Sequence, residues 1–137
     1  MTSRNDTMTV VVYSDNATTR RQITLALGQR PVPDLPALAY LECATQPAVI
    51  ATLDAGGVDV CVLDGEAAPA GGMGICRQLK DEIDDCPPVL MLIGRAQDGW
   101  LATWSGADAM LSHPLDPMAV RQAVVELARQ RSACPAP

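Results

Sequence analysis

Val58-Asp59-Val60-Cys61-Val62-Leu63-Asp64 is the stretch on which the fold turns. It is apolar almost throughout, the pattern of a strand covered on both faces rather than one with a wet side. It stops at an acidic residue, and a Gly/Ala/Pro-rich loop, Gly65 to Gly72, follows. Upstream, Thr9 to Tyr13 repeats the pattern with a run of Val, and Asp15-Asn16 then starts a helix. That helix carries Thr19, Ile23, Ala26 and Leu27 on one face and stops at Gly28. A Pro-rich loop leads to a second strand, Ala37 to Cys43. Thr45 and Pro47 open the next helix, which Gly56-Gly57 ends.

Downstream, Ile75, Cys76, Leu79 and Ile83 mark a third helix, with Asp81, Glu82, Asp84 and Asp85 as a solvated acidic cluster at its end. Val89 to Ile93 is a fourth strand. A short helix bears Trp100, Leu101 and Trp104, and Ala109 to Leu111 is a fifth strand. Asp116-Pro117 caps a last helix with Val120, Ala123, Val124 and Leu127 as its stripe. Five β-α units with doubly covered strands predict an α/β fold, a doubly wound five-stranded parallel sheet with helices on both faces. One domain spans 8–131, with flexible termini at 1–7 and 132–137.

Composition narrows the function. The chain has 137 residues, 48% hydrophobic and 19% charged, with a formal net charge of −6. That charge, and the absence of any Lys/Arg run, argue against nucleic acid, whose phosphates demand cations. No apolar stretch is long enough to insert in a membrane. Met1 to Met8 lacks the features of a signal peptide, which predicts a cytoplasmic location. The five cysteines have no C-x-x-C spacing, and His113 is the only histidine, so no zinc site is expected. Cys61 and Cys76 read as buried thiols, Cys86 and Cys134 as surface ones.

In doubly wound sheets, chemistry collects at the carboxyl ends of the strands. Those ends hold Ser14-Asp15, Asp64, Ile93-Gly94 and Ser112-His113. Two carboxylates, Asp15 and Asp64, on neighbouring strands repel unless a cation lies between them, and Mg2+ with its oxygen ligands fits that need.

The stretches Val10 to Asn16 with Arg20 or Arg21, Asp59 to Asp64 with Pro69 and Gly74, Pro88 to Arg95, and Gly106 to Leu115 together resemble a response-regulator receiver domain of the CheY-like kind, atypical and stand-alone. The resemblance implies strand order 2-1-3-4-5 and a role in two-component phosphorelay signalling, with no enzymatic activity of its own. It implies Asp64 as phosphoacceptor from a sensor histidine kinase. It also implies Mg2+, weakly held by Asp15, Asp64 and the Glu66 backbone carbonyl.

Several positions depart from the family. Ser14 replaces one of two acids. Ile93 stands where a hydroxyl normally contacts the phosphoryl group, and His113 stands where a lysine does. Met110 replaces an aromatic, and Pro69 lies five positions after Asp64 rather than four. These losses favour a phosphorylation-independent adaptor over a phosphorylated switch. Gly94, Arg95, His113 and Pro114 complete the pocket positions; the family often has a cis peptide before this proline. Glu66 and Arg95 either pair over Asp64, or Arg95 replaces the missing lysine, or both are solvated. His113 reads as a loop residue lining the pocket.

Trp100 and Trp104 share a helix face. Trp104 is expected to be buried and Trp100 partly exposed. With Met110 they mark a possible interface for an unknown target or a homodimer through the fourth helix region. Two other classes fit the residues less well. An aspartate-nucleophile, Mg2+-dependent phosphotransferase would want Asp where Glu66 stands, and a cap domain. A flavodoxin-like carrier would want a phosphate loop that Asp15-Asn16-Ala17 does not supply.

Overall fold

The computed structural model describes residues 7–67, 71–95 and 98–133. Pro69, Cys134 and the chain before Thr7 lie outside the described residues, and so do the expectations that fall on them.

The elements alternate along the chain: β1 (Thr7–Tyr13), α1 (Ala17–Leu27), β2 (Ala37–Cys43), α2 (Gln46–Asp54), β3 (Val60–Asp64), α3 (Gly72–Glu82), β4 (Val89–Ile93), α4 (Gly99–Ser105), β5 (Ala109–Ser112) and α5 (Pro117–Ala133). The five strands form one parallel sheet in the order β2-β1-β3-β4-β5, as predicted. Among the described residues no helix is long and apolar enough to cross a membrane.

Local chemistry explains the boundaries. Asn16 caps α1, its side chain accepting the Thr18 N–H at 2.8 Å. Thr45 does the same for α2 through the Ala48 N–H, with Pro47 in the first turn. The third strand starts at Val60, not Val58. Asp59 leaves the ladder because its carboxylate takes the Thr9 N–H at 2.8 Å while its own N–H bonds the Thr9 carbonyl. Thr7 belongs to β1, and α5 runs on to Ala133. Asp81, Glu82, Asp84 and Asp85 are exposed, as expected, and Asp85 also forms a two-pronged ion pair with Arg131 at 3.0 and 3.3 Å.

Each strand sends alternate side chains to opposite faces. Val10, Val12, Val60, Val62, Leu90 and Leu92 meet α1 and α5 in one core. Val11, Tyr13, Cys61, Leu63, Met91 and Ile93 meet α2, α3 and α4 in the other. With no Phe in the chain, both cores are aliphatic except for Tyr13 in the second and Tyr40 packed against the first. Cys61 and Cys76 are buried within the second, and burial pushes the Cys76 thiol up to about 11 and Cys61 higher still.

The fourth helix corrects one expectation. Trp104 is 53% exposed and Trp100 68%. The face that turns inward carries Ala102 and Ser105, both fully buried. Small side chains let α4 approach the sheet closely, which leaves no room for an indole underneath. Trp104 instead lies beneath the Arg77 guanidinium, 5.4 Å from the ring centre, while Arg77 also donates to the Trp104 carbonyl at 3.2 Å.

Candidate phosphoacceptor site

Asp64 ends β3, flanked by β1 and β4, at the carboxyl edge of the sheet. It is 4% exposed, and both its oxygens are engaged. Oδ2 accepts the Ser14 hydroxyl at 2.7 Å, and Oδ1 accepts the Glu66 N–H at 2.9 Å. Ser14, fully buried, also accepts the Asn16 N–H on Oγ at 3.0 Å. Its single proton therefore points at Asp64. No buried side-chain nitrogen or oxygen among the described residues lacks a partner.

A glycine underpins this arrangement. A Cβ on Gly72, the first residue of α3, would lie 2.8 Å from the Asp64 carbonyl oxygen and 3.0 Å from Leu63 Cβ. The bare α-carbon lets α3 start directly against the end of β3. In the sequence Gly72 reads only as the end of a loop; nothing in one sequence separates a glycine needed for close approach from one needed for a turn.

The other predicted residues fall around this centre in different ways. Asp15 is exposed on the turn before α1. Burial first, then the negative charges of Asp15 and Asp64, raise the pKa of the Tyr13 phenol, so both acids act on one buried ring. Glu66 is exposed, and its carboxylate lies over Gly94: a Cβ there would come within 2.7 Å of Oε1. Arg95 is 68% exposed and pairs with Asp98 at 3.3 Å rather than with Glu66. That removes one of the three alternatives for these residues, a Glu66–Arg95 pair over Asp64. Ile93 is 2% exposed and packs in the α2/α3/α4 core, so its side chain serves the interior. His113 is half-buried; its N–H bonds the Ile93 carbonyl at 2.9 Å, and its peptide bond to Pro114 is cis.

Arg20, quoted in the sequence only as part of a motif, is a neighbour of the site. Its guanidinium donates to the Ser14 carbonyl at 2.6 Å and to Glu42 Oε1 at 3.1 Å. The cap at Asn16 carries the signal: four residues on, the first turn of α1 brings Arg20 back to the end of β1.

The donor set is a poor fit for a tight Mg2+ site. Mg2+ usually takes one or two carboxylates and keeps several waters. Here the acid that would stand at position 14 is a serine, and its hydroxyl occupies one oxygen of Asp64. Among the described residues no three His, Cys, Asp or Glu side chains gather closely enough to hold a metal ion.

Comparisons with known proteins give the family and the fold. The chain is 51% identical over 129 residues to an uncharacterized response regulatory protein of Mycobacterium tuberculosis, matching in strains H37Rv and CDC 1551 alike; the match covers 94% of this chain and 97% of the relative. The chain belongs to the response regulators. No protein-family model matches it. Solved receiver domains share the fold at low identity. The Francisella response regulator 1452 receiver domain superposes with a TM-score of 0.76 at 16% identity, covering 90% of this chain and 98% of that one. Chemotaxis response regulator CheY4 of Vibrio cholerae gives 0.74 at 15%, covering 88% and 98%. Response regulators of this fold act in two-component signalling. As a class, receiver domains bind Mg2+ in phosphorylation and interact with histidine kinases and effectors.

Proposed function

We propose that this response regulator works as a cytoplasmic, non-enzymatic binding module whose output is a protein–protein contact, with Asp64 held in its unphosphorylated form. The observation that carries the reading is the buried Ser14 Oγ–Asp64 Oδ2 hydrogen bond of 2.7 Å. Phosphorylation would form an Oδ–P bond as the donor's bond to phosphorus breaks, P–N in a phosphohistidine and P–O in acetyl phosphate, so a carboxylate oxygen must act as nucleophile. One oxygen is tied to a hydroxyl and the other to a backbone N–H. A second support is the apolar Ile93, which offers no donor to a transferred phosphoryl group.

The contact surface is the edge formed by α4 and β5. Trp100 and Trp104 project from it, and Met110 is 40% exposed beside them. Exposed Trp carries a large share of interface energy. An effector protein or a second copy through α4 would bury these rings.

A second reading, slow phosphorylation by a histidine kinase, is favoured by one observation. Asp64 retains its position at the end of β3, with the Glu66 N–H on Oδ1. Intact-mass spectrometry after incubation with acetyl phosphate and Mg2+ separates the two. Our reading expects no phosphoryl adduct. An adduct on the wild type that is absent from Asp64→Asn establishes the second reading.

A further inference from the structure

The Asp64 carboxylate is linked to the opposite side of β1 by two sets of hydrogen bonds that meet in Ser14, one on its hydroxyl and one on its backbone carbonyl. Asp64 accepts from Ser14 Oγ, the Ser14 carbonyl accepts from Arg20, and Arg20 donates onward to Glu42 at the end of β2. The Ser14 N–H also bonds the Cys43 carbonyl at 3.2 Å. The line runs from a closed interior to solvent: the Asp64 end is buried, the Arg20 side chain is 16% exposed and the Glu42 side chain 50%.

We propose that Arg20 is a positioning residue, and that the Glu42–Arg20–Ser14–Asp64 line makes the setting of Asp64 depend on the charge met by Glu42 at the exposed end of β2. Two bonds from one planar guanidinium fix the Ser14 backbone between α1 and β2. With that backbone fixed, the Ser14 hydroxyl has one direction, toward Oδ2. A cationic side chain from a partner protein that engages Glu42 releases one prong of Arg20 and loosens the Ser14 hydroxyl. This input lies on the β2 edge, at the opposite end of the sheet from α4 and β5. It rests on Asp64 being held as described and does not require Asp64 to accept a phosphoryl group.

The test is therefore spectroscopic and free of phosphodonor. The carboxyl-carbon NMR resonance of Asp64, assigned by its loss in Asp64→Asn, is followed at one neutral pH. Ser14→Ala sets the displacement produced by losing the donor. Arg20→Ala and Glu42→Gln are expected to move the resonance in the same direction, Arg20→Ala by most of that displacement. Arg20→Lys, which keeps the charge and three donors, is expected to return part-way. Asp108 is the control: its carboxylate, held by Lys80 and the Val89 N–H on the far side of the sheet, stays put in every variant. An Asp64 resonance unmoved in Arg20→Ala, while Ser14→Ala moves it, overturns the proposal. So does a shift in Arg20→Ala that is matched at Asp108, because that reports general loosening.

Discussion

Deleting the Ser14 hydroxyl is the most direct way to weigh the contact that sets this site apart. The bond is 2.7 Å long, and its acceptor is a carboxylate only 4% exposed. A hydrogen bond to a charged group contributes about 1.5–3 kcal/mol net. The pocket is too closed for water to replace the lost donor fully, so Ser14→Ala is expected to cost about 2 kcal/mol. The Asn16 N–H, which loses its acceptor, is at an exposed position and rehydrates. Asp64→Ala strands the Ser14 hydroxyl and the Glu66 N–H instead. In the double variant neither partner of the bond remains. Its cost should then fall short of the sum of the single costs by about 2 kcal/mol, against the roughly 0.5 kcal/mol scatter of independent sites. Urea unfolding of the four proteins at neutral pH, with a common slope, gives the coupling directly. Additivity within that scatter would refute the bond as a feature of the protein in solution.

Other perturbations read other parts of the site. Ser14→Asp sets a second carboxylate against Asp64, so its melting temperature should drop in chelator and recover in millimolar Mg2+, while the wild type responds to neither; an equal Mg2+ response in the wild type contradicts the poor-fit donor set. Gly72→Ala forces a methyl group onto the Asp64 backbone and should cost about 1–3 kcal/mol. Gly94→Ala displaces only the exposed Glu66 carboxylate and should stay within about 0.5 kcal/mol by the same unfolding assay. Burial pushes the Tyr40 phenol up to about 12 from its ordinary value of 10.0. Above pH 10 the unfolded chain releases this proton before the folded one does, so stability falls as pH rises toward 12. Tyr40→Phe should flatten that decline in alkaline melting curves.

The sheet is readable because its three central strands carry unbroken apolar runs, Val10 to Tyr13, Val60 to Leu63 and Val89 to Ile93, and two shorter mixed runs alternate with helices on either side of them. Asp64 was readable from its place at the end of one run. What the residue sequence hid was which neighbour would touch it. Ser14 counts as a lost acid in the motif, yet in space its hydroxyl becomes the closest partner of Asp64, because β1 and β3 run side by side. Arg95 looked available from spacing alone, but Asp98, three residues away on its own loop, holds it. Trp104 was misplaced for a related reason. Bulk and apolarity suggest burial, whereas the closeness of α4 to the sheet selects Ala102 and Ser105 for the inner face. Contacts chosen by approach distance do not show in a hydropathy pattern.

The division of the interior by the five strands has an evolutionary consequence. Substitutions beneath α1 and α5 and those beneath α2, α3 and α4 are buffered from one another by a wall of backbone, so each compartment can drift on its own schedule. Ser14 and Asp64 sit on the rim where the compartments meet. A lineage can thus rework either flank for a new associate while leaving the rim chemistry, active or silenced, as it found it.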